Sequence, residues 1–88
     1  MEQTPDAPVI LITGGSRGVG AATARLAAQR GYDVAISYVS NEDAALAVVA
    51  EVERAGRRGV AVRADSASPD HVVRLFETVG QRLGQVTA

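Results

Sequence analysis

A glycine-rich segment near the start of the chain constrains the fold more than any other feature. It reads Val9-Ile10-Leu11-Ile12-Thr13-Gly14-Gly15-Ser16-Arg17-Gly18-Val19-Gly20. The apolar residues at its start predict a strand buried on both faces, as in a parallel sheet. The alanine-rich sequence that follows favours a helix. A strand, a glycine turn and a helix in this order direct free backbone N–H groups and a helix N-terminus towards a phosphate.

Three glycines of this turn have separate expected roles. Gly14 forms the sharp exit from the strand, where a Cβ would be strained. Gly18 lets a pyrophosphate approach the backbone, and Gly20 lets the helix lie close to the strand. The spacing T-G-x-x-x-G-x-G differs from G-x-G-x-x-G, and no Lys-Ser or Lys-Thr pair follows, which excludes a P-loop. The segment predicts a phosphate-binding turn, and the alternative is a tight connection only.

The rest of the chain alternates strands and helices. We predict a loose N-terminal arm over 1–8, strands over 9–13, 33–38 and 59–64, and helices from 17 or 18 to 29, from 41 or 42 to about 55 and from 69 to 83. Residues 85–88 lead towards a fourth strand. This alternation requires parallel strands joined by right-handed crossovers. The predicted fold class is α/β, the N-terminal β-α-β-α-β-α half of a doubly wound parallel sheet, occupying 9–88.

Several local features of these elements are also predicted. Ser68 caps the third helix and Pro69 is its first residue. Ser40 or Asn41 caps the second helix, and Arg57-Arg58 forms an exposed turn. The apolar faces of the three helices are, in order, Val19, Thr23 and Leu26; Ala45, Val48, Val49 and Val52; and Val72, Leu75, Phe76, Val79 and Leu83.

Composition narrows the classes of function. The chain has 88 residues and a formal net charge of -1, which gives no reason to expect nucleic acid or an anionic membrane as a partner. Without cysteine it forms no disulfide or thiolate metal site, and one histidine, His71, cannot build a metal cluster. No apolar run approaches the ~20 residues of a membrane span. Residues 1–8 lack the apolar core of a signal peptide, so we expect a cytoplasmic protein.

The segment from Thr13 to Gly20 resembles the cofactor motif of the short-chain dehydrogenase/reductase family. The whole chain follows the N-terminal half of that family's Rossmann fold, and is most similar to bacterial 3-oxoacyl-acyl-carrier-protein reductases and related sugar and polyol dehydrogenases. The resemblance implies hydride transfer between NADP(H) and a small carbonyl or alcohol. It also implies, by analogy, a homo-oligomer, commonly a tetramer formed through later helices.

The catalytic residues of that family are absent from this chain. The family uses a Tyr-x-x-x-Lys pair with a serine upstream, and an Asn-Asn-Ala-Gly segment also contributes. All nine basic residues here are arginine, and Tyr32 and Tyr38 lie near the second strand without a lysine after them. We therefore expect no catalytic residue in the chain and no activity from it alone.

The end of the second strand predicts which nicotinamide cofactor binds. An acid there, ~20 residues past the glycines, would bind the ribose 2′-hydroxyl of NAD. Tyr38 occupies that place, so no carboxylate there repels a 2′-phosphate. Arg17 can reach over the same ribose, and a charge-assisted hydrogen bond contributes ~1.5–3 kcal/mol. Further neutral donors are expected from Ser37, Ser40 and Asn41.

The family resemblance points to the same cofactor. A basic residue just before the middle glycine accompanies NADP use, and Arg17 matches it. The second basic residue often found after the strand is missing, because Val39 stands there. We predict NADP rather than NAD, with the alternative that Arg17 is a surface arginine that bonds carbonyls of the second helix.

The third strand is followed by two further candidate cofactor contacts. In the family an acid at this place and the residue after it contact the adenine, and Asp65 and Ser66 match them. The alternative is that Asp65 only caps a turn. The complete predicted cofactor site comprises Gly14, Ser16, Arg17, Gly18, Val19, Gly20, Tyr38, Ser40, Asp65 and Ser66, and no metal ligand is predicted.

Two hypotheses about the chain remain. The first is the cofactor-binding N-terminal part of a short-chain reductase. The second is a complete nucleotide-binding or structural module without enzymatic activity. The second leaves the first strand, apolar on both faces, as an unprotected sheet edge, so we expect the isolated chain to be unstable or to aggregate.

Overall fold

Three strands form a single parallel sheet, and three helices flank it. The computed structural model describes residues 7–14 and 18–88. The elements in chain order are β1 (Val9–Thr13), α1 (Gly18–Gln29), β2 (Asp33–Tyr38), α2 (Glu42–Arg54), β3 (Gly59–Arg63) and α3 (Pro69–Arg82). All strand pairs are parallel, in the order β1-β2-β3. The predicted fold class is confirmed. Most of the predicted N-terminal arm lies outside the described residues.

The register brings the carboxyl ends of the strands to one edge of the sheet. Thr13 of β1 lies opposite Ser37 of β2, and Tyr38 of β2 lies opposite Arg63 of β3. The two faces of the sheet carry different helices: α1 and α2 pack on one, and α3 packs on the other. Ligands of open α/β sheets bind outside the carboxyl ends of the strands, so this edge is where a site is expected.

The central strand, not the first, is the one buried on both faces. β1 was predicted to be buried on both faces, but it is less buried than that. Val9 is buried, Leu11 is half-buried and Thr13 is exposed. In β2 every residue before Tyr38 is buried, because it has a strand on each side and helices on both faces. The other edge of β1 is met by the end of the chain, where Thr87 N–H donates to Val9 O at 2.8 Å and Leu11 N–H donates to Ala88 O at 3.0 Å.

The buried face of α1 is made of alanines rather than of its larger residues. The predicted face was wrong, since Val19 is 84% exposed, Leu26 is 49% exposed and Thr23 is also exposed. The residues that contact the sheet are Ala21, Ala24, Ala27 and Ala28. Small side chains let the helix axis lie close to the strands, and a larger residue on that face would separate them.

The structure confirms most of the prediction for α2. Asn41 is its N-cap, and its side-chain oxygen accepts from Ala44 N–H at 3.1 Å. Of the predicted apolar face, Val49 is half-buried and the other three residues are buried: Ala45, Val48 and Val52.

In α3 the buried stripe is narrower than predicted. Leu75, Val79 and Leu83 pack against the sheet, whereas Phe76 is 48% exposed. The assignment of Phe76 to the core was therefore wrong, because α3 contacts the sheet along one side only. Pro69 begins the helix as predicted, but the Ser68 side chain makes no capping hydrogen bond.

The Arg57-Arg58 turn is not simply exposed, which corrects another prediction. Both guanidinium groups bind the carboxylate of Asp33, which is fully buried at the start of β2. Arg58 also donates to Leu83 O at 3.0 Å, so one side chain joins β2, the α2–β3 turn and the end of α3. Within the described ranges, no helix is both long and apolar enough to cross a membrane.

Candidate functional site

Gly14 and Gly18, the two glycines of the turn that the structure describes, lie at the carboxyl edge of the sheet. Gly14 follows β1 directly with φ +69°, and Gly18 begins α1 with φ +64°. L-residues with a Cβ rarely adopt such angles, so the backbone conformation itself requires glycine here. A Cβ built on either residue meets no atom within 4 Å. Among the residues that the structure describes, no side chain or backbone atom beyond the immediate neighbours therefore covers these two positions.

The N-terminus of α1 is electrostatically suited to an anion. The helix has twelve residues and its first turn carries no acidic residue, whereas the first turn of α2 carries Glu42 and Asp43. The first N–H groups of a helix have no partner within the helix, and together with the helix dipole they favour negative charge by about 0.3–1 kcal/mol. The first turn of α1 thus offers donors without a competing carboxylate of its own.

Ser37 is hydrogen-bonded to Gly14, the first residue of the glycine turn. Its Oγ accepts from Gly14 N–H at 3.4 Å, and the residue is 2% exposed. The burial of Ser37 corrects the prediction that its hydroxyl donates to a ligand. The register explains the contact, since Ser37 lies opposite Thr13, one residue before the turn.

The end of β2 presents an aromatic ring followed by neutral exposed residues. Tyr38 is half-buried against the core formed with α1 and α2. Ser40 is exposed, while Asn41 is engaged as the cap of α2. Residues 38–41 therefore contribute no carboxylate, and the first acids after β2 are Glu42 and Asp43 of α2.

Asp65 folds the loop after β3 into a tight turn. Its Oδ1 accepts from Ala67 N–H at 2.9 Å, and its carbonyl oxygen accepts from Ser68 N–H at 2.9 Å. The turn-capping alternative is thus realised. Both Asp65 and Ser66 are exposed, so Oδ2 and the Ser66 backbone remain accessible to a ligand.

The loop after β3 is also held by a residue that the sequence analysis did not assign to the site. His71 Nδ1 accepts from Asp65 N–H at 3.0 Å. A polar side chain at the third position of a helix often bonds back to the preceding loop, and that was the available signal.

Six predicted site residues meet at the carboxyl edge, because all three strands run in parallel: Gly14, Gly18, Tyr38, Ser40, Asp65 and Ser66. Val19 and Gly20 lie in the first turn of α1. Ser16 and Arg17 lie outside the described residues. In the part of the chain that the structure describes, no group of three or more His, Asp or Glu residues is placed to hold a metal ion.

Comparisons with known proteins agree with this geometry. Residues 8–88 match the family model of the short chain dehydrogenases. The chain is 46% identical over 86 residues to the 1-cyclohexenylcarbonyl-CoA reductase of Streptomyces collinus, covering 97% of this chain and 31% of that protein. It is 38% identical over 76 residues to the 3-oxoacyl-[acyl-carrier-protein] reductase FabG of Staphylococcus epidermidis, covering 86% and 31%.

A solved structure extends the likeness to three dimensions. The short chain dehydrogenase of Burkholderia cenocepacia J2315, in complex with NADP, superposes with a TM-score of 0.85 at 43% identity. The match covers 94% of this chain and 33% of that protein. The chain spans about a third of the length of the relatives that it matches.

Proposed function

The chain belongs to the short-chain dehydrogenase family, and from this we propose that it is the cofactor-binding part of an NADP(H)-dependent oxidoreductase. The reaction of the whole protein would move a hydride between the nicotinamide ring and a small carbonyl or alcohol. The observation that carries the proposal is the open backbone at Gly14 and Gly18, at the carboxyl edge beside the N-terminus of α1.

Each part of the cofactor has a proposed partner in the chain. The N–H groups of the glycine turn and of the first turn of α1 bind the diphosphate. The Asp65 carboxylate accepts from the 6-amino group of adenine, and the Ser66 N–H donates to the ring. Tyr38 and Ser40 lie beside the ribose. The bound cofactor supplies or accepts the hydride, and the residues of this chain bind and orient its adenosine half.

The preference for NADP is proposed from the charges at the ribose. Tyr38 stands where a carboxylate would repel a 2′-phosphate, and Ser40 is an exposed neutral donor. Arg17 would supply the positive charge. The similar protein of Burkholderia cenocepacia, which was solved with NADP, supports the same choice of cofactor.

The preference is tested by substituting Arg17 and measuring the dissociation constants of NADP and NAD in the protein expressed from its full reading frame. We expect Arg17→Ala to weaken NADP binding about 10- to 100-fold, as the loss of one charge-assisted hydrogen bond predicts. NAD binding changes little. Arg30→Ala, which removes an exposed arginine at the other end of α1, is the matched control. Equal weakening of both cofactors, or no change, contradicts the assignment.

A nucleotide-binding module without catalysis is the second candidate function. The observation that favours it is the absence of lysine, and with it of any Tyr-x-x-x-Lys pair, from these 88 residues. The intact mass of the protein distinguishes the two candidates. Further chain that contains Tyr-x-x-x-Lys supports the oxidoreductase. For that enzyme we also propose a cytoplasmic location, a homo-oligomeric state and no nucleic-acid or membrane partner.

A further inference from the structure

His71 reaches back from α3 to the loop that carries the proposed adenine contacts. Its Nδ1 accepts from the backbone N–H of Asp65 at 3.0 Å. A nitrogen that accepts a hydrogen bond carries no proton, so the neutral ring is protonated on Nε2. The contact is therefore available to the neutral imidazole in this orientation and not to the protonated one.

This bond joins the loop to a side chain of α3, whereas two other hydrogen bonds of Asp65 lie within the loop. The Asp65 carboxylate bonds Ala67 N–H, and the Asp65 carbonyl bonds Ser68 N–H. Both are contacts within the turn, and they would move with it as a unit. Only the bond to His71 ties the N–H of Asp65 to a side chain of the helix. It thereby restrains the turn, and the Oδ2 of its carboxylate, relative to α3, while Ala64 N–H, which donates to Tyr38 O at 2.9 Å, holds the preceding residue to the sheet.

We propose that His71 is a positioning residue for adenine recognition, and that its protonation loosens that recognition. The inference rests on the proposed function, because it assigns a role within the adenine end of the same site. While the imidazole is neutral, Asp65 is held where its carboxylate accepts from the 6-amino group. When the imidazole gains a proton it loses its acceptor, and the bond that joins the Asp65 N–H to the His71 side chain is lost.

The charged groups around the imidazole come from three elements. Arg63 of β3 and Arg74 of α3 line the same surface cleft as His71. The carboxylates of Asp65 in the loop and of Asp70 in the first turn of α3 flank it in the chain. Positive and negative neighbours of the imidazole are thus both present.

The test compares NADP with its 6-oxo analogue, in which a carbonyl replaces the 6-amino group of adenine. The dissociation constant of the 6-oxo analogue divided by that of NADP reports how strongly the amino group is recognised. Shared effects cancel in it, including the titration of the 2′-phosphate. In the protein expressed from its full reading frame, we expect His71→Leu to lower this ratio about threefold to tenfold, as the loss of one neutral hydrogen bond predicts. His71→Asn should retain it, because its carboxamide oxygen can replace Nδ1 as acceptor.

The pH dependence gives a readout that a purely structural role would not change. The imidazole resonance is assigned by its absence from the NMR spectrum of His71→Asn. As the pH is lowered, we expect the ratio in the unsubstituted protein to fall, with the same midpoint as the change in chemical shift of that resonance. In His71→Asn the ratio should stay constant over the same pH range. Arg74→Gln, which changes another residue of the cleft, should leave the ratio unaltered.

The outcomes separate this inference from the proposed function. If the unsubstituted protein binds neither nucleotide, the proposed function fails. If it binds both equally well, or if His71→Leu leaves the ratio unchanged, the role of His71 is overturned while cofactor binding stands. Equal losses in the leucine and asparagine variants, or a ratio independent of pH, also overturn it.

Discussion

Arg58 holds the carboxylate of Asp33 from two directions. Its guanidinium donates from Nε and Nη2 to Oδ2 at 3.1 and 2.9 Å, and its own backbone N–H donates to Oδ1 at 3.0 Å. Arg57 adds two bonds to Oδ1, at 3.1 and 2.9 Å. The carboxylate is fully buried, and its two partners reach it from the solvent side. A buried charge is tolerated here because five donors replace its water.

Removing the two arginines should destabilise the protein more than removing the acid. Arg57→Ala with Arg58→Ala leaves a buried carboxylate without its guanidinium partners, and we expect a loss of about 3–5 kcal/mol in the free energy of unfolding. Asp33→Asn leaves two arginines that water can solvate, and should cost about 1–3 kcal/mol. Urea unfolding measures both. The reverse order would show that the carboxylate is not buried as described.

An exposed ion pair in the same protein provides the comparison. Arg25 of α1 pairs with Glu51 of α2, and both side chains are more than a third exposed. Exposed pairs contribute about 0–1 kcal/mol, so Arg25→Ala should change the unfolding free energy by no more than that. A cost as large as that of the Arg57 and Arg58 pair would indicate that burial does not explain the difference.

The Asp33 clamp should make the fold sensitive to acid. Burial raises the pKa of the Asp33 carboxyl, but the hydrogen bonds from Arg58 and Arg57 outweigh it and hold that pKa below its usual value. A group whose pKa is depressed by folding stabilises the protein above the unfolded pKa, about 3.9. That contribution is lost as the pH falls through the folded value. Unfolding free energies measured from pH 6 to pH 2 should fall less steeply at the acid end in Asp33→Asn.

The alanine face of α1 should reject larger side chains. Ala24 is completely buried against the sheet, so Ala24→Leu forces the helix away and should cost about 1–3 kcal/mol or more. Ala22 lies on the exposed side of the same helix, and Ala22→Leu is expected to change stability by less than about 0.5 kcal/mol. Thermal unfolding compares the two, and equal effects would contradict the described orientation of α1.

Two adjacent residues of α3 should respond very differently to truncation. Leu75 is 2% exposed, and Leu75→Ala is expected to cost about 2–5 kcal/mol. Phe76 is about half exposed, so Phe76→Ala should cost well under half as much. Urea unfolding of the two variants measures this difference. If Phe76→Ala proves as costly as Leu75→Ala, the sequence-based assignment of Phe76 to the core was right after all.

A carboxylate at the end of β2 should reverse the proposed cofactor preference. Tyr38→Asp places a negative charge beside the ribose, where repulsion of a 2′-phosphate reaches ~4 kcal/mol at 4 Å and an effective dielectric of 20. We expect NADP binding to weaken relative to NAD about 10- to 100-fold, since solvent screens part of this. Tyr38→Asn, similar in size and uncharged, is the control and should not show the effect. Fluorescence titration with both cofactors gives the ratio.

The course of the backbone could be predicted because it depends on local signals. The apolar runs before Thr13 and Tyr38, the glycine after each helix and Pro69 at the start of α3 act on neighbouring residues. The bounds they predicted agree with those found to within one or two positions. The turn after β1 could be predicted in the same way, since glycine adopts positive φ angles without strain and Gly14 and Gly18 both have them.

Which side chains meet across the fold was decided by tertiary structure alone. Helical periodicity shows which apolar residues share one side of a helix, but it does not show which of them are buried in the folded protein. It therefore could not predict that α1 packs through alanines or that Phe76 lies outside the core. Asp33 lies 24 and 25 positions from Arg57 and Arg58. Such contacts arise only when strands and helices are stacked. The sequence by itself determined the elements, their order and the positions of the glycines after β1, whereas the packing of one element on another determined which charges are buried.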